Sequence, residues 1–253
     1  MNKNIVINQE QYEKLVQIMT RNYKDFFLSP SCRQYMAAYR FEKRGREVKV
    51  HQEVVAGVMP GTISHNRKEL DEGTFGTTTR TLRLINPLSA IEDVYDSPHT
   101  KTVLSIGPRT EMELLHLVGV GFLPDNIKAL DLISTSPWID TGDMHAMPYP
   151  DRPFDIVISS WVLGYSRTPQ KAMDEMLRVV KDRGLLAIGC TYNPQADQVD
   201  YKAAEEKIVG TLFRHVSEYA AMMPDKIEKI IFQDEPARDD IKGPVMMIVR
   251  VKH

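Results

Sequence analysis

The feature that most constrains the fold is an alternation that begins at Lys101. Short apolar runs bounded by glycine take turns with stretches of helical period. Residues 102–107 are one such run, ending in Gly107. Residues 110–122 follow with helical spacing. Thr110 and Glu113 have the spacing of a capping box, in which each side chain satisfies the other's backbone N–H. Further strands are expected over 127–132, 154–159 and 185–191. Thr168-Pro169 opens a helix with Ala172, Met173, Met176, Leu177 and Val180 on one face, and Gly184 is expected to end it. A long amphipathic helix is expected over 199–222, apolar at Tyr201, Ala204, Ile208, Leu212 and Tyr219. Two closing runs, 226–232 and 245–251, have no helix between them, so they can pair antiparallel. Strand, helix, strand, helix requires a doubly wound, mostly parallel sheet with helices on both faces, an α/β fold.

Before residue 100 the pattern differs. Asn8 can cap a helix carrying Tyr12, Leu15, Val16 and Met19. Ser29-Pro30 starts a second, presenting Tyr35, Met36 and Tyr39 and stopped at Gly45. Residues 46–54 alternate, with Val48, Val50 and Val54 on one side, as in a half-buried strand. Residues 57–76 hold four glycines and one proline among polar residues, and read as a long loop serving as a lid or partner surface. The chain therefore divides into an N-terminal extension, 1–99, offering a substrate or homodimer region, and a main domain, 100–253.

Composition sets limits. The chain has 253 residues, 42% apolar and 26% charged, with a net charge of -2. That is enough for a core and lacks the basic footprint of a dedicated nucleic-acid binder. Cys32 and Cys190 are far apart and show no metal-ligand spacing with histidine. The longest near-apolar run, 114–123, is too short to span a bilayer, and the N-terminus has no signal-peptide core. The expected location is cytoplasmic, with no membrane partner.

In an open parallel sheet, ligands bind beyond the carboxyl ends of the strands. Four turns fall there. Gly107-Pro108-Arg109 lets backbone approach a ligand at a helix start. Asp131 ends the next strand, where an acid can accept both hydroxyls of a ribose, or simply be a solvated turn residue. Asp143, in the stretch from Gly142 to Tyr149, can read an adenine edge. Ser159-Ser160-Trp161 and Tyr165 follow a strand tip, where the aromatics can wall a pocket or pack in the core.

The stretches "VLSIG", "LDLIS", "GDMHAMPYPDRPFDIVISSWVLGYS" and "PQKAMDEMLRVVKDRGLLAIG" resemble the successive motifs of class I S-adenosylmethionine-dependent methyltransferases, over about residues 100–192. The resemblance implies a seven-stranded sheet whose last strand is antiparallel. It implies S-adenosylmethionine as cofactor and S-adenosylhomocysteine as product. Gly107 would sit against the methionine part, Asp131 and Leu132 at the ribose, Asp143 and Met144 at the adenine. Ser159 and Ser160 would lie near the sulfonium. Trp161 and Tyr165 would face a small-molecule substrate, with Tyr165 and His145 the candidates for proton handling.

The sequence also departs from that family. Ser105 stands where an acid usually precedes the glycines, and Arg109 and Glu111 replace two glycines. Pro108 removes a backbone donor. Arg109 is therefore assigned to the cofactor carboxylate and Glu111 to its ammonium, against the alternative of an ion pair between the two. The interval from Asp131 to Asp143 leaves room for at most one helical turn and a very short strand near Ile139, and the adenine pocket is either partly open or completed by Trp138. Arg40, Lys43, Arg44, Arg46 and Lys49 form a basic cluster that can attract an acidic substrate or be a solvated face. His51 and His65 can reach the site if the N-terminal part closes over it. The reading is methyl transfer to a small polar metabolite, such as a sugar hydroxyl. The competing readings are a degenerate binding domain of the same fold and, further off, a nicotinamide-dependent oxidoreductase lacking the GxGxxG turn.

Overall fold

A computed structural model of the protein describes residues 9–10, 13–14, 16–17, 29–52, 57–58, 61–71, 79–194, 202–203, 206–207 and 213–253. Helix α1 (Pro30–Lys43) starts where Ser29 Oγ accepts the Cys32 N–H. Its buried face is Cys32, Arg33, Ala37, Ala38 and Phe41, while Tyr39 points outward. The two-residue strand β1 (Lys49–Val50) is what forms of the alternating run 46–54, of which 53–54 lie outside the described residues. Helix α2 (Thr62–Asp71) lies where a loop is expected. Ile63 and Leu70, seven apart, put one apolar edge against Ala38, Phe41 and Ile133, and that burial outweighs the flanking glycines. Helices α3 (Thr79–Ser89) and α4 (Glu92–Tyr95) complete the N-terminal part.

Strand β2 (Val103–Ile106) leads into α5 (Glu111–Gly119). Thr110 Oγ1 caps α5 by accepting the Met112 N–H at 3.4 Å, but the capping box does not close. The Glu113 carboxylate turns inward and accepts the Ser105 hydroxyl instead. Strands β3 (Ile127–Asp131), β4 (Ile133–Ser134), β5 (Asp140–Thr141) and β6 (Phe154–Ser160) follow. The short strand expected near Ile139 is β5. Helix α6 (Pro169–Val179) passes directly into β7 (Val180–Tyr192). Val180, already extended, ends the helix four residues before Gly184, which is itself inside β7.

The helix expected over 199–222 shortens to α7 (Val216–Ala221). Glu218 Oε1 accepts the N–H groups of Arg214 and His215, which fixes the helix start at Val216. Residues 202–203 and 206–207 are extended and pair with each other, and the others from 199 to 212 lie outside the described residues. The expected helix at 8–19 is likewise mostly outside them. Strands β8 (Ile227–Asp234) and β9 (Gly243–Val251) close the chain.

The main sheet has seven strands in the order β8-β9-β7-β6-β2-β3-β5. From β7 to β5 the neighbours are parallel, and β9 runs antiparallel to both β7 and β8. Period-two alternation divides the side chains between the faces. Ile156 and Ile158 of β6 pack with Leu84, Ile85, Leu88, Leu114 and Leu117 from α3 and α5. Val157 points the other way, to Met173, Met176 and Tyr219 from α6 and α7. Helix α3 thus shares its core with the sheet, across the division drawn at residue 100. Each fully buried large side chain contributes roughly 1.5–3 kcal/mol. The small β1–β4 ladder joins the N-terminal part to the loop after β3. Among the described residues, no helix is long and apolar enough to cross a membrane.

Candidate active site

The order reverses between β2 and β6, and a cleft opens at the carboxyl ends there, as expected of such a sheet. It measures about 550 Å³, counting the space open to solvent. Ile106 and Gly107 end β2, Leu130 and Asp131 end β3, Gly142 and Asp143 follow β5, and Trp161 and Val162 follow β6. All eight line the cleft.

Gly107 has φ +71° and packs so closely that a Cβ there would lie 2.5 Å from Val162 Cγ2. Two residues on, Arg109 takes φ +56°, a left-handed conformation that costs a non-glycine residue free energy. This bend directs the Arg109 N–H to Asp131 Oδ2 at 2.8 Å. Asp131 Oδ1 accepts the Ile133 N–H at 3.2 Å. Burial raises the Asp131 carboxyl, and those N–H bonds oppose the rise. Each of its oxygens retains a lone pair for a further donor. The Arg109 side chain reaches Glu69 of α2 at 3.7 Å, not Glu111.

Glu111 is a correction. It is buried and faces away from the cleft, ion-paired to Arg40 and, at 3.1 Å, to Arg44, with the Ser136 hydroxyl also donating to it. The assignment to a cofactor ammonium fails because two guanidinium groups of α1 and its cap already occupy the carboxylate. The basic cluster is corrected with it: Arg40 and Arg44 serve Glu111, and Arg46 pairs with Glu42 and donates to Leu70 O. Trp138 is a second correction. It packs beside Met112, Leu115 and Ala37 and donates to Ile127 O, outside the cleft.

His145 is a third. Its ring is buried, with Nδ1 2.6 Å from Asp143 Oδ1 and Nε2 2.7 Å from Ser166 Oγ. Gly57 closes over it, with room for no Cβ. Both nitrogens are engaged, so His145 braces the Asp143 turn and does not face the cleft. Asp143 also accepts the His145 N–H at 3.0 Å. Burial works to raise its carboxyl, but the His145 bonds outweigh that and hold it below the usual range.

Ser159 and Ser160 are buried at the end of β6; the Ser160 hydroxyl lies beside the Glu113 carboxylate, and the Ser159 hydroxyl has no hydrogen-bond partner among the described residues. Trp161, at φ +59°, turns the chain out of the sheet; its N–H donates to Gly189 O and its indole N–H to Thr191. The Arg80 guanidinium lies 5.9 Å from its ring centroid. Tyr165 stacks on His65 of α2 with ring centroids 6.1 Å apart, its hydroxyl 3.5 Å from Nε2. Burial first, and then Arg109, lower the His65 imidazole.

Of the site residues expected from sequence, Gly107, Arg109, Asp131, Leu132, Asp143, Met144, Trp161 and Tyr165 line one cleft. Pro108, Glu111, His145, Ser159 and Ser160 do not line it. Val58, Thr62 and Asn66 do, from the N-terminal part, and sequence reasoning missed them. The seven-residue interval between Ile63 and Leu70 was the available signal.

Residues 110–188 match a family model described as a methyltransferase domain. The match spans under a third of the chain, and the seven-stranded sheet has the class I methyltransferase fold. Such a domain takes S-adenosylmethionine as its methyl donor. Among solved structures, the fold is similar to a complex between the Haloferax volcanii Trm112 methyltransferase activator and a methyltransferase. The TM-score is 0.53 at 16% identity, covering 75% of this chain and 94% of that one. A Thermotoga maritima structure described as a SAM-dependent methyltransferase covers 76% of this chain and 99% of its own, with TM-score 0.48 and 14% identity. No curated protein is significantly similar in sequence.

The residues of the methyltransferase domain fit that cofactor. The Gly107 cradle has no room for a side chain, and the Asp131 carboxylate can accept further donors.

Proposed function

We propose that the protein transfers a methyl group from S-adenosylmethionine to a small polar metabolite, on an acceptor such as a sugar hydroxyl. The observation that carries this reading is the roof of the cleft. Val58, Thr62 and Asn66 of the N-terminal part cover strand ends that already hold Gly107, Asp131 and Asp143.

In this reading Asp131 accepts the ribose hydroxyls, and the Gly107 turn receives the methionine end. Asp143 Oδ2 and the backbone at Met144 meet the adenine. When bound, the cofactor supplies an activated methyl on a sulfonium leaving group. Trp161, Tyr165, Thr62 and Asn66 orient the acceptor and exclude water. Alignment of that kind is worth roughly 7–11 kcal/mol in intramolecular models. A hydroxyl acceptor must lose its proton as the O–CH₃ bond forms. Tyr165 orients it, and His65, kept neutral at pH 7 by its lowered pKa, accepts the proton.

The test is calorimetric titration with S-adenosylmethionine and S-adenosylhomocysteine, beside Asp131→Asn and an NADH control. A metabolite screen for S-adenosylhomocysteine release follows. Binding weakened tenfold or more by Asp131→Asn, about 1.4 kcal/mol, supports the reading. A folded protein that binds neither sulfur compound overturns it.

A further inference from the structure

The cleft is charged differently at its two ends. Toward β3 and β5 its lining holds two acids, Asp131 and Asp143. Toward the roof and the end of β6 the sign changes. The Arg109 guanidinium crosses to α2, where Glu69 lies 3.7 Å away. Lys68 is on the same helix. Arg80, in the first turn of α3, holds its guanidinium over the Trp161 ring, 5.9 Å from the centroid. Trp161 is fixed beneath it. Its indole N–H donates to Thr191 at 2.7 Å, and its Cζ3 lies against Gly189 with room for no more than a tight Cβ contact. Trp161 and Tyr165 both line the cleft at this end, and Tyr165 stacks on His65. Arg109, Lys68 and Arg80 all act on the His65 imidazole, and Glu69 is the acid that opposes them. Three cations and one acid thus surround the place where the acceptor must lie, at the opposite end from Asp143.

Resting on the reading of the cleft as a methyl-transfer site, we propose that the acceptor carries an acid group, a carboxylate or a phosphate. Arg80, held on Trp161, is the residue that receives it, and Lys68 and Arg109 add attraction. A guanidinium presents paired N–H donors that match either group, and stacking on an indole face orients it at little further entropic cost. Like charges gathered at one end of a cleft repel each other, and a bound anion relieves that repulsion. The same field draws an anionic acceptor toward the cleft, which a net charge of -2 over the whole chain would not do. Arg80 is a specificity residue in this account: it touches the acid group and not the atom that receives the methyl.

Inorganic phosphate and malonate are the probes, added with and without saturating S-adenosylhomocysteine while sodium chloride holds the ionic strength constant. NMR reads the Trp161 indole N–H and the His65 ring, assigned with Trp138→Phe and His65→Gln. At least one anion is expected to shift both signals along a saturating curve, with a dissociation constant on the order of millimolar. It should also raise the His65 pKa, because a neighbouring anion favours the imidazolium. Arg80→Gln should weaken that binding about fivefold or more. Lys229→Gln, an equal loss of charge on β8 outside the cleft, should leave it unchanged. For an acceptor found by the metabolite screen, Arg80→Gln should raise KM about fivefold or more and largely spare kcat. Signals that do not saturate, or that saturate equally in Arg80→Gln, overturn the proposal and leave the S-adenosylmethionine reading standing. So does a neutral acceptor turned over equally by wild type and Arg80→Gln. So does an anion that S-adenosylhomocysteine displaces, because the cations then serve the cofactor's own carboxylate. A folded wild-type protein that binds neither sulfur compound overturns both.

Discussion

Gly107→Ala isolates what the strand-to-helix turn requires. Two costs can be worked from the structure. The first is conformational: Gly107 holds φ +71°, a region that costs a residue with a Cβ about 1–2 kcal/mol. The second is steric. The added Cβ would lie 2.5 Å from Val162 Cγ2 and 2.7 Å from its Cβ. Comfortable contact begins near 3.5 Å, so Val162 must move by about 1 Å, at an overpacking cost of about 1–3 kcal/mol. The sum is about 2–5 kcal/mol. At about 2–4 °C per kcal/mol for a chain of this size, the melting temperature should fall by roughly 4–20 °C. Urea denaturation of wild type, Gly107→Ala, Val162→Gly and the double variant separates the two costs. Val162→Gly removes both close contacts, so the cycle should show a favourable coupling of about 1–3 kcal/mol. The conformational cost should persist in the double variant. A Gly107→Ala protein within about 0.5 kcal/mol of wild type, or a coupling near zero, would refute the close approach of Val162.

Other expectations follow from the same contacts. Glu111→Gln should destabilise the protein by about 1.5–3 kcal/mol in urea denaturation, since it removes charge-assisted bonds from Arg40, Arg44 and Ser136 at a buried site. His116 accepts from Arg33 Nε at 2.7 Å, and burial first and then Arg33 push it down to about 3. Its folded pKa lies below the unfolded value near 6.5, so the unfolded chain binds the extra proton. Stability should therefore fall as pH drops from 6.5 towards 3, with a slope of at most about 1.4 kcal/mol per pH unit. His116→Gln should flatten that part of the pH-stability curve; an unchanged slope would reassign it to another group. Gly57→Ala should lower the melting temperature, because its Cβ would meet His145 Nδ1 at 2.9 Å and that ring is held on both nitrogens. An unchanged melting temperature would mean that the ring can move.

The sheet was legible because its strands are short apolar runs with hard boundaries. Gly107 ends β2, Phe154 opens β6, and Pro169 forces a helix start between β6 and β7. Their register then put Gly107, Asp131 and Asp143 around one cleft. Three things were hidden, each for a physical reason. Among its described side chains, helix α2 buries only two apolar ones, Ile63 and Leu70, too few to stand out inside a glycine-flanked polar stretch. The capping-box pattern at Thr110 and Glu113 is a local signal, and it lost to a tertiary one, because Ser105 offers Glu113 a buried partner. The apparent helix over 199–222 rested on periodicity alone, while the capping interaction that fixes the true start is the Glu218 side chain folding back on Arg214 and His215.

Helix α5 shows why the N-terminal part and the cleft behave as one structure. Its three titratable side chains are shared between two neighbours. Glu111 ties Arg40 and Arg44 of α1 and its cap, Glu113 reaches through the sheet to Ser105, and His116 accepts from Arg33 of the same α1. Two of the three thus anchor α1, and the third ties α5 to β2. Helix α1 in turn packs on α2 through Ala38, Phe41, Ile63 and Leu70, and α2 carries the cleft's Thr62 and Asn66 together with His65. The roof and floor of the cleft are therefore mechanically linked through a single helix whose first turn also receives the Gly107 bend. A change at Glu111, which touches no part of the cleft, should then loosen the roof as well as lower stability. The discriminating measurement is hydrogen exchange at α2 in Glu111→Gln: faster exchange there than at β7 supports the linkage, and equal acceleration everywhere reduces it to a global loss of stability.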